Sequence, residues 1–289
     1  MDTTDRPQVH ESVTRPPRPA VGLALSCHPG PVVAVTALVV ALSVSSGLGG
    51  TRCVLVGGAV LTGQLSVGWC NDAFDARRDA AAGRRGKPVA EGVVSRSTVW
   101  QAAFTALLLC VVLSSACGPV AGAVHLTGVV AAWTYNLKLK TTALSWLPYV
   151  IGFGGLPVLV ALNMPGHPWP AWWAVTAGAM LGVGAHLGDV LPDIDGDLAS
   201  GSRGLPQRLG AARTRMLLPV PLVAASAVLV LGPAGPPGWW GALTLAAVVP
   251  TAFAGFVPRR TWRTAALAGA VAAASVDVAL LLIRGTSIA

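Results

Sequence analysis

Charged side chains are scarce in this sequence: only 11% of its 289 residues are Asp, Glu, Lys or Arg. A typical soluble domain has about 25%. A soluble protein of this length needs a more polar surface, whereas a composition that is 53% hydrophobic suits a surface that faces lipid. The scarcity of charge therefore excludes an ordinary soluble domain and predicts a polytopic membrane protein of the all-α class.

Cysteine pairs are also missing. The five cysteines form no CxxC motif and have no metal-site spacing, so we expect small apolar packing residues and no disulfide framework. The net charge of +8 is basic enough for a nucleic-acid partner, but the charges stand in short clusters between apolar segments. The sidedness rule of membrane proteins explains such clusters better. We therefore expect no nucleic-acid partner.

Residues 1–18 are polar and proline-rich, and they lack the apolar core and the cleavage site of a signal peptide. We expect a disordered cytoplasmic tail there, followed by a transmembrane domain over residues 19–289. This domain has nine apolar segments, each close to the ~20 residues that a helix needs to cross the hydrocarbon. They cover residues 31–48, 52–70, 98–115, 118–135, 142–161, 170–188, 215–232, 238–256 and 264–283. The sequence thus predicts about nine transmembrane helices in one bundle.

The basic residues test this topology. With the N-terminus placed inside, all of the 20 Lys and Arg residues except Arg52 and Arg284 fall on the inner side. A missed segment would scramble this pattern, so the pattern supports both the count and the orientation. We expect an integral protein of the cell (inner) membrane with its N-terminus in the cytoplasm.

Most of the few acidic residues fall in two motifs on the inner side. The first motif, "NDAFDARRD", covers residues 71–79, and the second motif, "DVLPDIDGD", covers residues 189–197. Residues at i, i+4 and i+8 of a helix lie on one face. These are Asn71, Asp75 and Asp79 in the first motif and Asp189, Asp193 and Asp197 in the second. Pro192 would disrupt or kink the second helix, so the spacing argument is weaker there.

Stacked carboxylates repel one another and are costly near a membrane, so a cation is expected to offset them. Carboxylates with an amide oxygen suit Mg²⁺, which keeps further positions for water and phosphate. Basic residues follow each motif and occupy the inner loop between them: Arg84, Arg85, Lys87, Lys138, Lys140 and Arg203. Metal-bound carboxylates surrounded by Arg and Lys indicate a site for a polyanion such as a diphosphate.

The motifs resemble those of the intramembrane UbiA-type prenyltransferases. The resemblance rests on the two Asp-rich motifs in this order, with "KPVAEG" after the first, "YNLKLK" at 135–140 and "SRGLPQRLG" after the second, and it covers nearly the whole chain. It implies a Mg²⁺-dependent enzyme that binds a prenyl diphosphate at the cytoplasmic mouth of the bundle, with the isoprenoid tail in an apolar tunnel. The prenyl group would pass through an allylic carbocation to a small aromatic or lipid-like acceptor.

The resemblance also implies roles for individual residues. One Mg²⁺ would be held by Asn71, Asp75 and Asp79, with Asp72 in support, and the other by Asp189, Asp193 and Asp197. The expected catalytic carboxylates are Asp75, Asp79, Asp189 and Asp193. Diphosphate contacts would come from Arg84 or Arg85, Lys87, Tyr135, Lys138 or Lys140, and Arg203. Lys87 stands where the family commonly has Arg, which keeps the charge but loses the bidentate geometry.

Three other functions share parts of this pattern. A UbiA-type terpene cyclase ionises the same substrate but captures the cation with the substrate's own double bonds. A CDP-alcohol phosphotransferase requires Asp-Gly-x-x-Ala-Arg before its spaced aspartates, which "NDAFDARRD" does not supply. A transporter or channel would place charges near the bilayer midplane, whereas these lie at one face. Asp277, an acid inside the last segment, has either a functional role or a hydrogen bond to a neighbouring helix.

Overall fold

The computed structural model describes residues 19–199, 201–236, 238–253 and 262–289, the side chains of 262–267 excepted. All regular secondary structure in this part of the chain is helical, so the all-α class is confirmed. The predicted tail over residues 1–18 lies outside the described residues, as do the last residues of the predicted segment 238–256.

Twelve α-helices, numbered in chain order, make up the described fold. The first six are α1 (Pro19–Ser26), α2 (Pro29–Ser45), α3 (Gly50–Ala81), α4 (Arg96–Ala116), α5 (Pro119–Leu137) and α6 (Leu147–Ala161). The last six are α7 (Trp172–Val190), α8 (Ile194–Ala199), α9 (Leu205–Leu217), α10 (Pro219–Leu231), α11 (Trp239–Phe253) and α12 (Trp262–Ile283). Proline opens α2, α5 and α10, at a position where its missing N–H has no intrahelical partner to lose.

These helices differ in their capacity to cross a membrane. By length and composition, α3, α4 and the segment from Trp172 to Ala199 can each span it alone. Among the described residues the number rises to five if two bent pairs each form one span: α1 with α2, bent by 57°, and α9 with α10, bent by 47°. Every predicted segment overlaps a helix, but the count of nine spans is not confirmed. A 15-residue helix such as α6 measures only about 22 Å against roughly 30 Å of hydrocarbon.

The helices pack as a ring. Its neighbouring pairs are α2–α3, α3–α4, α4–α5, α5–α6, α6–α7, α7–α10 and α10–α12, and it closes where α12 packs against α2. Buried apolar side chains of several of these helices fill the centre, among them Val39, Val56, Leu159 and Leu229. Since α2 and α12 come from opposite ends of the described chain, a long-range contact closes the ring.

Glycines on α7 allow the backbones of α6 and α7 to approach closely. A Cβ added at Gly182 would lie 2.4 Å from the carbonyl oxygen of Tyr149, and one added at Gly178 would lie 2.7 Å from the carbonyl oxygen of Phe153. Glycines four residues apart are typical of such close helix pairs in membranes. The contact fixes Tyr149 beside the end of α7 that leads into the second motif.

Candidate active site

The first motif lies on the last turns of α3, which continues eleven residues beyond the predicted apolar segment. Because the helix is unbroken, Asn71, Asp75 and Asp79 share one face, as their spacing predicts. Asp72, Asp75 and Asp79 are buried, with 2%, 7% and 2% of their surface exposed. Buried carboxylates need compensating partners, and this motif has several cations beside it.

The second motif is broken into three pieces. α7 ends one residue after Asp189, a 3₁₀ turn carries Pro192 and Asp193, and α8 carries Asp197. The three aspartates therefore do not share one continuous helical face, which is the disruption that Pro192 indicated. Asp189 and Asp193 are exposed, and Asp197 is half-buried.

Lys140 makes the closest contact with the first motif. Its Nζ lies 2.6 Å from each carboxylate oxygen of Asp75, and Arg78 Nη2 donates to the Oδ2 of the same carboxylate over 3.0 Å. Burial lowers the pKa of the Lys140 ammonium, and the charge of Asp75 acts in the opposite direction. The 3₁₀ turn that follows α5 thus places the largely buried ammonium group of Lys140 beside α3.

Lys87 and His28 surround the carboxylate of Asp72. Lys87 Nζ donates to Asp72 Oδ1 over 3.2 Å, and His28 Nε2 lies 3.3 Å from that Nζ and 3.8 Å from Oδ1. The same Nε2 is 3.4 Å from Asn71 Nδ2. His28 stands at the break between α1 and α2, with a φ of 57°. The bend between these helices therefore brings an imidazole to the first motif.

Arg84 joins the two motifs. Its Nη2 donates to Asp197 Oδ1 over 2.7 Å, and its Nε lies 3.7 Å from Asp79 Oδ1. The hydrogen bond to Asp197 raises the pKa of the Arg84 guanidinium. Gln207 of α9 donates to the other Asp197 oxygen over 2.9 Å. Asp79 and Asp197 are 118 residues apart in the chain, yet they are close enough to share one guanidinium.

An aromatic group lies beside Asp189. Tyr149 donates its hydroxyl proton to Asp189 Oδ2 over 3.0 Å, and its ring meets that of Tyr135 edge to face with the centroids 5.3 Å apart. The ring of the buried His186 is 4.8 Å from Tyr149 and 6.0 Å from Tyr135. His186 Nε2 lies 3.0 Å from Ser145 Oγ, which fixes the imidazole. Helices α5, α6 and α7 thus place three rings next to the second motif, in edge-to-face or tilted contact with one another.

Sequence reasoning missed His28, Tyr149 and Gln207. Two of them left a weak signal: Tyr149 is a phenol in an apolar segment, where its hydroxyl needs a partner, and His28 precedes the proline that opens α2. These signals do not identify the residue that each side chain contacts, because that residue lies on another helix in every case.

Three of the predicted diphosphate ligands stand apart from these contacts. Arg85, Lys138 and Arg203 are exposed, and none of them forms an ion pair with a residue in the described ranges. Of each predicted basic pair, Arg84 and Lys140 are the members that reach the carboxylates. This choice was not readable from the sequence.

The donor atoms of the site suit Mg²⁺. Among the described residues no three Asp, Glu, His or Cys side chains are grouped closely enough to hold a metal ion, and cations pair with several of the carboxylates. Two buried oxygens, Asp72 Oδ2 and Asp79 Oδ1, nevertheless accept no hydrogen bond in the part of the chain that is described, although Arg84 Nε lies 3.7 Å from Asp79 Oδ1. A buried oxygen of this kind is costly unless a cation or a donor meets it. Since Mg²⁺ prefers oxygen ligands, the residues present fit such an ion.

Asp277 is separate from this network. It is fully buried in α12, and the Oγ of Ser226 on α10 donates to its Oδ1. Its Oδ2 has no hydrogen-bond partner among the described residues. Of the two interpretations that the sequence allowed, the hydrogen bond to a neighbouring helix is the one observed.

The sequence profile of the UbiA prenyltransferase family matches residues 31–282, which is most of the chain. The chain therefore belongs to the UbiA prenyltransferase family, and the family predicted from the two Asp-rich motifs is confirmed. It is a prenyltransferase and an integral membrane protein.

Relatives of known name agree with this assignment. A digeranylgeranylglyceryl phosphate synthase from Methanoregula boonei is 28% identical over 229 residues, which are 75% of this chain and 77% of that protein. A structure solved in work on digeranylgeranylglyceryl phosphate synthase superposes with a TM-score of 0.69 at 15% identity and covers 93% of this chain and 99% of the other. A UbiA homologue from Archaeoglobus fulgidus bound to GPP and Mg²⁺ gives 0.67 at 13% identity, with coverages of 92% and 100%. At these identities the structures show a shared fold.

Proposed function

We propose that this protein is a Mg²⁺-dependent enzyme that transfers a prenyl group from a prenyl diphosphate to a lipid-like or aromatic acceptor. The observation that carries the proposal is the double contact of Arg84, which brings Asp79 of the first motif and Asp197 of the second to one guanidinium. The A. fulgidus homologue with bound GPP and Mg²⁺ supports the same substrate class and ion. The name of the M. boonei relative supports a lipid acceptor that carries glyceryl phosphate.

We assign two metal positions to the motifs. The ligands are Asn71, Asp75 and Asp79 for one ion, with Asp72 in support, and Asp189, Asp193 and Asp197 for the other. Mg²⁺ bound there supplies positive charge that neutralises the diphosphate and makes it a better leaving group. The buried oxygen Asp72 Oδ2, which accepts no hydrogen bond from the described residues, supports this assignment.

Lys140, Lys87 and Arg84 are placed to bind the phosphate oxygens. Each has a nitrogen between 2.6 and 3.7 Å from a carboxylate of a motif. Rotation about the bonds of these long side chains lets them reach an anion held between the motifs, where charge-assisted hydrogen bonds are strong. The exposed Lys138 and Arg203 extend the positive surface towards the solvent and attract the anionic substrate.

In the reaction that follows, one bond breaks and another forms at the same carbon, C1 of the prenyl group. The allylic C–O bond breaks with its electron pair going to the diphosphate, and the prenyl group becomes an allylic carbocation. A nucleophilic oxygen or carbon of the acceptor donates an electron pair to C1 and loses a proton. The rings of Tyr135 and Tyr149, which stand beside Asp189, attract such a cation through their π faces. The apolar helices exclude water, which would otherwise capture it.

We further propose that the ring crosses the membrane nine times, with residues 1–18 and both motifs on the cytoplasmic side and residues 19–289 as a single domain. The charge asymmetry of the sequence supports this orientation. In this orientation Arg52, near the start of α3 and at the end of that helix opposite the first motif, lies on the outer side, where its Nη1 donates to Asn163 Oδ1 over 3.3 Å.

The test uses membranes or nanodiscs that contain the full chain. Labelled prenyl diphosphates are incubated with a phenolic acid, with a glycerophosphate lipid or with no acceptor, in Mg²⁺ and in EDTA. We expect an acceptor-dependent product that EDTA abolishes and that added Mg²⁺ restores. A cyclised product without acceptor would assign the protein to the cyclases instead, and turnover in EDTA would refute the metal requirement.

A matched pair of variants tests the site. Asp79→Asn should lower turnover by about 10²–10³-fold, as loss of a group that acts on transition-state charge does. Asp195→Asn makes the same change at an exposed aspartate of the second motif that we assign to no metal, and it should retain activity. Equal activities of the two variants would contradict the site assignment.

A further inference from the structure

The break between α1 and α2 is held against α3 just before the first motif. A Cβ added at Gly68 of α3 would collide with the carbonyl oxygen of Cys27, so glycine is what lets the two backbones meet there. One residue later, Trp69 Nε1 donates to the carbonyl oxygen of Leu23 over 2.8 Å. Both contacts come directly before the first motif, and they fix the position of the next residue in the break, His28.

His28 has a backbone conformation that few residue types adopt. Its φ of 57° and ψ of 68° lie in the left-handed region, where side chains other than those of Asn, Asp and His are rare. Such residues persist where the surrounding structure determines them, and they concentrate at functional sites. His167, in the loop between α6 and α7, is the other described non-glycine residue with a positive φ, and it also precedes a proline.

The imidazole of His28 can play only one part towards its neighbours. Lys87 Nζ lies 3.3 Å from His28 Nε2, and an ammonium group has donors but no acceptor. His28 Nε2 therefore presents its lone pair, and the ring proton is on Nδ1. The same lone pair faces the side-chain amide of Asn71 at 3.4 Å. Only the nitrogen end of that amide can donate to it, so the contact distinguishes the two ends of the amide.

The orientation of the Asn71 amide matters because its two ends differ towards a metal ion. Mg²⁺ takes oxygen ligands, so Asn71 can bind it through Oδ1 and not through Nδ2. An amide whose nitrogen is engaged with His28 leaves Oδ1 for an ion on the face of α3 that Asn71 shares with Asp75 and Asp79. Removing a partner that orients a metal ligand in this way typically weakens metal binding by about 10–100-fold.

We infer that His28 is a positioning residue for the metal site: its Nε2 holds the Asn71 amide with the nitrogen towards the imidazole and the oxygen towards Mg²⁺. The inference rests on the proposed function, since it takes Asn71 as a metal ligand, and it gives the break between α1 and α2 a part in metal binding. Without the imidazole, Lys87 can donate to Asn71 Oδ1 instead and turn the amide around, which removes the oxygen from the ion.

The test measures metal binding in nanodiscs that contain the full chain and no substrate. Mn²⁺ is the probe, followed by its EPR signal, together with the rise in melting temperature that Mg²⁺ produces. His28→Gln places an amide oxygen near the position of Nε2 and should keep the Mn²⁺ dissociation constant within about threefold of the wild type, because an acceptor remains. His28→Leu has no acceptor and should raise this constant by about tenfold or more.

The controls are His167→Gln and His167→Leu, which make the same changes at a left-handed residue at the end of α7 opposite the second motif. They impose the same backbone demand and should leave Mn²⁺ binding unchanged. A second measurement uses ¹⁵N-labelled histidine in the wild type and in His28→Gln. The signals that disappear in the variant should be those of a ring protonated at Nδ1 and bare at Nε2.

The outcomes separate this inference from the proposed function. Unchanged Mn²⁺ binding in His28→Leu, an equal loss in His28→Gln and His28→Leu, or a proton on His28 Nε2 would overturn the inference and leave the proposed function intact. Mn²⁺ binding that depends on His28 as expected, with no turnover of any prenyl diphosphate, would overturn the proposed reaction alone. Absence of Mn²⁺ binding in the wild type would overturn the metal assignment and this inference with it.

Discussion

The close approach of α6 and α7 sets the position of Tyr149, and Gly182→Ala tests this. A Cβ at position 182 would lie 2.4 Å from the Tyr149 carbonyl oxygen and 3.0 Å from the Phe153 Cβ. Non-bonded heavy atoms are at their optimum near ~3.5–4.0 Å, so the two backbones must separate by about 1 Å. The obstructing oxygen belongs to the main chain and cannot rotate away.

The magnitude follows from two opposing effects. Overpacking of this kind costs about 1–3 kcal/mol, whereas replacing a helical glycine by alanine gains up to about 1 kcal/mol. We expect a net destabilisation of roughly 1–2 kcal/mol, or a melting temperature lower by several degrees. A separation of about 1 Å would also take the 3.0 Å bond from Tyr149 to Asp189 beyond hydrogen-bonding distance. The concentration of Mg²⁺ needed for half-maximal activity should therefore rise.

The assay is thermal unfolding in nanodiscs, followed by a Mg²⁺ titration of turnover. Gly188→Ala is the control on the same helix, because the nearest atom to its Cβ, Leu218 Cδ1, would be at an ordinary 3.8 Å. Its melting temperature should equal or exceed that of the wild type. If Gly182→Ala proved as stable as Gly188→Ala, with an unchanged Mg²⁺ requirement, the argument from close helix approach would be refuted.

Three further substitutions test individual contacts. Tyr149→Phe keeps the ring but removes a hydroxyl donated to the second motif; we expect a several-fold higher Mg²⁺ requirement at unchanged melting temperature, and no change in a Mg²⁺ titration would contradict the contact. Arg84→Lys loses the fork that reaches both motifs and should lower kcat/KM by roughly tenfold or more, while Arg85→Lys at the exposed neighbour should not; equal effects would count against Arg84 as the joining residue. Asp277→Asn keeps an acceptor for Ser226 and should retain activity and stability, whereas Asp277→Leu should cost about 1 kcal/mol in thermal unfolding; loss of activity in Asp277→Asn would indicate a functional acid.

The helices and the first motif were predictable because their signals are local. Each apolar segment matched a helix within a few residues at most ends, and the spacing of Asn71, Asp75 and Asp79 depends only on the period of one unbroken helix. The break at Pro192 was predictable for the same reason, since proline lacks the N–H that the helix needs.

The partners of these residues were not predictable. Arg84 and Arg85 are adjacent and chemically identical, yet one bridges Asp79 and Asp197 while the other is exposed. Likewise Lys140 and not Lys138 reaches the first motif. A difference of one or two residues rotates a side chain to another face, and which face is inward depends on helices that are distant in sequence.

The sequence by itself determined the membrane setting, the helical class and the two acidic motifs, because composition and short-range periodicity encode them, and these motifs carried the resemblance to the family. The tertiary structure decided which cation meets which carboxylate, and it placed His28 and Tyr149 beside the motifs. Those features arise from contacts between segments that are distant in the chain, and no local pattern records a contact of that range.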